Sequence, residues 1–136
     1  AQRRGDEHFM KFPYRFFRSH YYPIIPVTLV KSNKKVNTSA VVDSGAVLSI
    51  FNSSIARPIG IDIEAGEKRI FQGASAKLVG CVHTINMIVA GKEFSCKVAF
   101  SDELGTSFNL LGRETVFDEF IVTFNEKIRE LAIEPS

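Results

Sequence analysis

An aspartate at the end of an apolar run is the first candidate catalytic residue in this sequence. Asp43 follows residues 40–42 (Ala-Val-Val) and precedes Ser44 and Gly45. Because the apolar run predicts a buried strand, the carboxyl group is expected at the edge of a core and not in open water. Partial burial disfavours the charged carboxylate and neighbouring donors favour it, and acid–base catalysis uses that balance. Asp-Ser-Gly is also common in ordinary turns, so the motif alone fits either a catalytic carboxyl group or a turn without chemical function.

A second segment, residues 109–114, has the sequence Asn-Leu-Leu-Gly-Arg-Glu. Its two leucines predict a short apolar strand, and Gly112 ends this strand just before a predicted helix. A glycine at such a place lets another stretch of backbone approach closely, because it has no side chain. The two motifs in this order, with a predicted hairpin between them, are far more specific than either one alone.

Together the two motifs resemble those of the retropepsin-like aspartic proteases, the single-lobe relatives of the retroviral proteases. In that family a strand carries Asp-Ser/Thr-Gly-Ala into the active site, and a later apolar-apolar-Gly-Arg segment runs beside it. The resemblance covers residues 23–133. The matching residues are Asp43, Ser44, Gly45 and Ala46 in the first motif, and Leu111, Gly112 and Arg113 in the second.

The resemblance implies hydrolysis of peptide bonds by two carboxylates that share one proton. One carboxylate activates a water as a base, and the other protonates the carbonyl oxygen as an acid. This chain has one Asp-Ser-Gly, so a second copy must supply the other aspartate, and we expect a two-fold homodimer with both Asp43 side chains at its axis. No metal or other cofactor is required. The expected substrate is an extended polypeptide, which can pair with the protein as an added strand.

The resemblance also assigns supporting roles. The Ser44 hydroxyl is expected to brace the two active-site loops across the dimer axis, and Gly45 to let the backbone approach substrate. Residues 73–80 correspond to a flap that closes over substrate, although they could also form an ordinary exposed hairpin. The flap and substrate-binding residues predicted from this match are Gly73, Ala74, Ser75 and Ala76, together with Val47.

Val47 is a departure from the retroviral pattern. Retroviral members usually carry an aspartate four residues after the catalytic one, and it pairs with the arginine of the Gly-Arg motif. Here Val47 takes that place, so Arg113 is expected to pair with an acid in residues 61–64 or with one across the dimer interface. The neighbouring subsite should also be more apolar than in the retroviral enzymes.

Other chemistry-bearing residues predict weaker sites. Cys81 and His83 lack a second pair of ligands at zinc spacing, so no metal site is predicted. Cys81 and Cys96 are expected several positions out of register on paired strands, which argues against a disulfide. Ser49 lacks the strand-turn-helix context of a hydrolase nucleophile.

Composition sets the remaining limits. The chain has 136 residues, of which 45% are hydrophobic, and this suits one domain. A net charge of +2 is too small for a dedicated nucleic-acid binder, so no nucleic-acid partner is expected. No apolar run approaches the ~20 residues that a membrane span needs. Two cysteines do not suffice for a disulfide scaffold and no signal peptide opens the sequence, so a cytoplasmic location is expected.

The elements predicted to position these motifs are mainly strands. We expect an all-β, retropepsin-like closed barrel with one or two short helices and one lobe per chain. Hairpins are predicted from residues 24–30 with 36–42, from 79–89 with 94–100, and from 120–124 with 128–133. One short helix should begin at Asn52 or Ser53 and stop near Gly60. Another should follow Gly112, with Val116, Phe117 and Phe120 on one face.

The sequence divides into an arm and a domain. Residues 1–22 mix basic and aromatic residues without helical or strand periodicity, and residues 23–136 form the predicted protease domain. The arm could be a tag, a pro-segment or a structured element that packs its rings on the domain. The Tyr22–Pro23 bond resembles the aromatic-proline junctions that retroviral proteases cut, so it is either a self-cleavage site or the entry to the first strand. For the whole chain, the competing hypothesis is a non-catalytic dimerisation or peptide-binding module of the same fold.

Overall fold

The computed structural model describes residues 9–72, 77–104 and 108–136, and most of these residues lie in β-strands. The short helical segments are α1 (Ser53–Ala56), two 3-10 turns (Arg57–Ile59 and Ile63–Ala65) and one π-type turn (Arg113–Phe117). The predicted all-β class is therefore confirmed. The strands are β1 (Met10–Pro13), β2 (Arg15–Phe17), β3 (His20–Tyr22), β4 (Ile24–Lys31), β5 (Lys34–Val42), β6 (Ser49–Asn52), β7 (Glu67–Gln72), β8 (Lys77–Val89), β9 (Lys92–Ser101), β10 (Leu110–Leu111), β11 (Phe120–Asn125) and β12 (Glu130–Pro135).

The largest sheet has the strand order β4-β5-β10-β6-β9-β8-β7. Its strand β4 also pairs with β8, so the pairings from β4 through β8 return to their start, as they do in a barrel. The predicted hairpins β4–β5 and β8–β9 are both present. Cys81 faces Phe100 and Cys96 faces Ile85, and both cysteines are free, as the predicted register requires.

A smaller sheet joins the two ends of the described chain in the order β1-β12-β11. Phe120, predicted on the helix after Gly112, instead begins β11 and lies opposite Pro135. The reason is that the β-rich residues 120–124 pair along their whole length with β12. Ile128, predicted in a strand, lies in the preceding turn, where its backbone N–H donates to the Asn125 side chain.

The first residues of the described chain form strands that the sequence did not indicate. β1 pairs with β12, and β2 pairs with β3 as a separate two-stranded hairpin. Tyr14, between β1 and β2, is buried in the main core, and its hydroxyl donates to Glu126. This segment is therefore packed against the rest of the structure.

The interior is apolar and includes Ala40 and Val42, at the end of the strand that leads to Asp43. Ile25, Leu29, Phe51, Phe100 and Leu111 are among its fully buried large side chains. The predicted helix near residue 52 is present, because the Asn52 side chain accepts a hydrogen bond from the Ser54 N–H at its start. Among the described residues, no helix has the length and apolar character to cross a membrane.

Candidate active site

Asp43 lies directly after β5, where two parallel strands run side by side. Leu110 and Leu111 of β10 pair with Val41 and Val42 of β5. The Asp43 N–H donates to the Leu111 carbonyl at 2.9 Å. The structure therefore brings together the two motifs that the sequence places far apart, with β10 fixing the backbone that carries the carboxyl group.

The turn after β5 holds the carboxyl group by local hydrogen bonds. Oδ1 of Asp43 accepts from the Gly45 N–H at 2.8 Å, and the Asp43 carbonyl accepts from the Ala46 N–H at 3.2 Å. Asp43 is half-buried, whereas Ser44 and Gly45 are exposed. An ionised carboxylate can accept several hydrogen bonds, so this bond to Oδ1 leaves acceptor capacity for a water or a second carboxyl group.

Gly112 lies where the two motifs pass closest to each other. A β-carbon at this residue would lie 2.6 Å from the Leu48 carbonyl oxygen and 2.8 Å from the Ala46 carbonyl oxygen. Just after Gly112, the Arg113 N–H donates to the Ala46 carbonyl at 2.8 Å. The absence of a side chain at residue 112 is thus a steric requirement of this crossing.

Ser49 forms hydrogen bonds at the place where the two motifs cross, and it was not predicted as a site residue. Its buried hydroxyl accepts a hydrogen bond from the Gly112 N–H at 2.9 Å and donates to the Thr115 hydroxyl at 2.8 Å. From the sequence, Ser49 was considered only as a nucleophile. Its position between the apolar residues Leu48 and Ile50 was the available signal of a buried hydroxyl that needs partners.

Asn109 is a second polar residue that joins the motifs. Its side-chain N–H donates to the Ser39 carbonyl at 3.0 Å, and its side-chain oxygen accepts from the Asn52 N–H at 2.9 Å. One side chain thus joins β5, β6 and the start of β10. Asn109 belongs to the second motif, but the motif alone indicates no role for it.

Arg113 and Val47 lie at the solvent side of the crossing. Val47 is 49% exposed, and its carbonyl accepts the Glu114 N–H at 2.9 Å. Arg113 is exposed, and within residues 9–72, 77–104 and 108–136 its side chain forms no ion pair. The expected pairing with an acid of residues 61–64 is therefore not formed within the chain, and pairing across an interface stays a prediction.

The predicted flap, residues 73–80, begins directly after β7 and extends into β8. Gly73, Ala74, Ser75 and Ala76 lie outside the described residues. The strands below them are paired, with Gln72 opposite Lys77 and Arg69 opposite Gly80. Gly80, the last residue of the predicted flap segment, is thus inside β8. The assignment of residues 73–76 as a flap stays a prediction.

The described part of the chain contains no group of three or more His, Cys, Asp or Glu side chains close enough to hold a metal ion. The second motif contains two charged side chains, Arg113 and Glu114, and both are exposed. The crossing itself is built from backbone groups and uncharged side chains, with Asp43 as its carboxylate.

Comparisons with known proteins agree with this geometry. The aspartyl protease family model matches residues 25–115, which include both motifs. A retropepsin-like aspartic protease from Rickettsia conorii superposes with a TM-score of 0.67 at 19% identity, over 93% of this chain and 92% of that one. EIAV protease in complex with the inhibitor HBY-793 superposes with a TM-score of 0.55 at 15% identity, over 76% of this chain and 93% of that one. A search of curated proteins finds no match. Since the family model covers more than half of the sequence, this chain belongs to the aspartyl protease family.

Proposed function

We propose that the protein is an aspartic endopeptidase that is active as a homodimer and cuts peptide bonds in extended polypeptides. The observation that carries this proposal is the half-buried Asp43, held at the end of β5 by the Leu111 carbonyl, in a chain of the aspartyl protease family. One chain supplies one such aspartate. The chemistry needs two, so the second comes from another copy.

In this mechanism the two Asp43 carboxyl groups share one proton, because two negative charges close together are unfavourable. The charged member removes a proton from a water as its oxygen attacks the carbonyl carbon of the substrate. The protonated member gives its proton to the carbonyl oxygen, which forms a neutral tetrahedral diol. The first carboxyl group then gives the proton it took from water to the nitrogen as the bond between carbon and nitrogen breaks, and the second carboxylate takes back a proton from one diol hydroxyl, which leaves a carboxylic acid and a free amine.

Neighbouring residues support this chemistry in the proposal. Ser44 and Gly45 are exposed in the turn that carries Asp43, so they are available to a second copy or to substrate backbone. Val47 offers an exposed apolar side chain to the substrate. The hairpin of β7 and β8 acts as the flap that excludes water from the reacting bond.

The test is cleavage of denatured casein across pH, with the wild-type protein and two matched variants. Asp43→Asn should lower turnover by at least about 10²–10⁴-fold, the contribution typical of acid–base catalysis. Asp118→Asn makes the same chemical change at an exposed residue outside the motifs and should leave turnover unchanged. A statine-type mimic, whose hydroxyl takes the place of the attacking water, should inhibit the wild type.

Rates should be highest at acidic to mildly acidic pH, because the pair must keep one proton. Casein cleavage that persists in the Asp43→Asn variant would contradict the catalytic assignment. A folded dimer that binds peptides but cuts none would instead support a non-catalytic binding module of this fold.

A further inference from the structure

The β2–β3 hairpin carries aromatic side chains on both of its faces. Alternate residues of a strand point to opposite sides, so Phe17 and Tyr22 share one face, and the opposed pair Phe16 and Tyr21 share the other. The rings of Phe17 and Tyr22 pack on Phe108, with centroid distances of 5.2 and 4.8 Å. Phe16 and Tyr21 contact each other edge to face at 5.0 Å, but they are 62% and 44% exposed. Packing on the domain therefore accounts for the first pair of rings and not for the second.

The turn between β11 and β12 extends the exposed face of the hairpin. The Arg129 guanidinium lies over the Tyr21 ring, 3.9 Å from its centroid, and the Arg129 carbonyl accepts from the Tyr14 N–H at 2.8 Å. In the same turn Ile128 is 60% exposed, and Lys127 is exposed as well. These contacts join the hairpin and the turn into one surface. What we call the basic-aromatic surface comprises Phe16, Tyr21, Lys127, Ile128 and Arg129.

The positive charge of the chain is concentrated in the two segments that form this surface. Residues 9–22 contain three basic side chains and no acidic one, and residues 125–130 contain two of each. Both acids already have partners, since Glu126 accepts from the Tyr14 hydroxyl and Glu130 lies 3.9 Å from the Lys11 ammonium. The two segments thus have a basic excess of three, whereas the whole chain has a net charge of +2. Such a surface is complementary to an anionic partner.

The side chains of this surface favour a lipid surface over nucleic acid as that partner. Single-stranded nucleic acids stack their bases on open aromatic faces. One face of the Tyr21 ring is covered by Arg129, and Ile128 has no ring on which a base could stack. Protein surfaces that bind membranes combine exposed apolar side chains with arginine and lysine, whose charges attract anionic lipids. Contact between two copies through this surface would bring like charges together.

We propose that the basic-aromatic surface binds the surface of a membrane that contains anionic lipids. Phe16 and Ile128 enter the boundary between headgroups and acyl chains, and Tyr21 lies at the level of the headgroups. Arg129 and Lys127 contact lipid phosphates. This is peripheral binding through a hairpin and a turn. It requires no catalysis, so it is independent of the proteolysis proposed above.

The first test measures binding to lipid vesicles by co-sedimentation. The wild-type chain should bind equimolar phosphatidylcholine–phosphatidylglycerol vesicles and should not bind pure phosphatidylcholine vesicles. Raising the salt concentration from about 0.1 M to about 1 M should weaken the binding, because the range of charge attraction falls from about 10 Å to about 3 Å. Equal binding to both kinds of vesicle, or binding to neither, would overturn the proposal.

Two pairs of variants test which side chains bind the vesicles. Phe16→Ala should weaken binding by about 5-fold or more, because its ring leaves water on binding. Ile70→Ala truncates a side chain of β7 that is 69% exposed and should have no effect. Arg129→Gln should weaken binding about 5-fold, whereas Arg57→Gln, which lowers the net charge equally elsewhere, should not. Equal losses in the surface and control variants would reject the basic-aromatic surface as the binding site.

Two further measurements test the other possible partners. A fluorescein-labelled single-stranded oligonucleotide that binds more tightly than the vesicles, and whose binding Phe16→Ala weakens, would overturn the proposal in favour of nucleic acid. Sedimentation velocity compares the self-association of the wild type and the Phe16→Ala variant. We expect no difference between them. Weaker self-association of the variant would assign the surface to contact between copies and would overturn the proposal as well.

Discussion

Replacing Gly112 by alanine should destabilise the protein by steric overlap alone. Its backbone angles, φ −103° and ψ −175°, are ones that any residue adopts, so the change brings no conformational penalty. The new β-carbon, however, would lie 2.6 Å from the Leu48 carbonyl oxygen, 2.7 Å from the Leu48 carbonyl carbon and 2.8 Å from the Ala46 carbonyl oxygen. All three are backbone atoms, which cannot rotate away.

The expected cost is about 3 kcal/mol, at the upper end of the 1–3 kcal/mol typical of overpacking. Moving the segment also strains the hydrogen bonds from the Gly112 N–H to Ser49 and from the Arg113 N–H to Ala46. For a chain of this length, ~3 kcal/mol corresponds to a fall in Tm of roughly 10 °C. Differential scanning calorimetry at one protein concentration measures it, since a dimer's Tm depends on concentration.

Gly45→Ala is the matched control, because it adds the same methyl group in the turn that follows Asp43, within the other motif. Among the described residues its β-carbon would meet only Oδ1 of the Asp43 side chain, at 3.1 Å, and the residue is exposed. We expect a loss below about 1 kcal/mol. A Gly112→Ala protein that melts within a few degrees of the wild type would refute the close crossing of the two motifs.

Two further substitutions and one labelling experiment test other parts of the structure. Ser49→Ala should cost about 1–3 kcal/mol, because it leaves the buried Gly112 N–H without its acceptor, and thermal unfolding at the wild-type Tm would contradict this. Burial and the hydrogen bond to Glu126 raise the pKa of Tyr14 to about 12. The folded state therefore keeps a proton that the unfolded chain releases above pH 10, so wild-type stability should fall as pH rises from about 10 to 12, and denaturant titrations should show no such fall for Tyr14→Phe. Burial, with the nearby Glu119 charge, raises the pKa of the Cys96 thiol to about 12, so a thiol-specific reagent at pH 8 should label Cys96 only after unfolding, and rapid labelling of the native protein would be inconsistent with the structure.

Local signals in the sequence were enough to predict the hairpins. The polar turn of residues 31–35 separates two β-rich runs, and they became β4 and β5. Residues 90–93 likewise mark the turn between β8 and β9. The close approach of Asp43 to Leu111 followed from the resemblance of the two motifs, since neither motif alone indicates its partner.

The parts that were missed depend on contacts between distant segments. Ser49 accepts the hydrogen bond from the Gly112 N–H only because its strand, β6, lies between β10 and β9. Met10–Pro13 is a strand only because β12 pairs with it. Phe120, predicted in a helix, lies in the same sheet because it pairs with Pro135 of β12. In each case tertiary pairing decided the local structure, and no pattern within the segment shows that pairing.

The most direct test of the central claim is a subunit-mixing experiment. Wild-type and Asp43→Asn chains are unfolded together, refolded at a fixed total concentration, and assayed on denatured casein as the wild-type fraction varies. If each active site needs an Asp43 from both chains, activity follows the square of that fraction, and an equal mixture keeps about one quarter of the wild-type activity. An activity that follows the wild-type fraction linearly, with about half remaining in the equal mixture, would contradict a site shared between two chains.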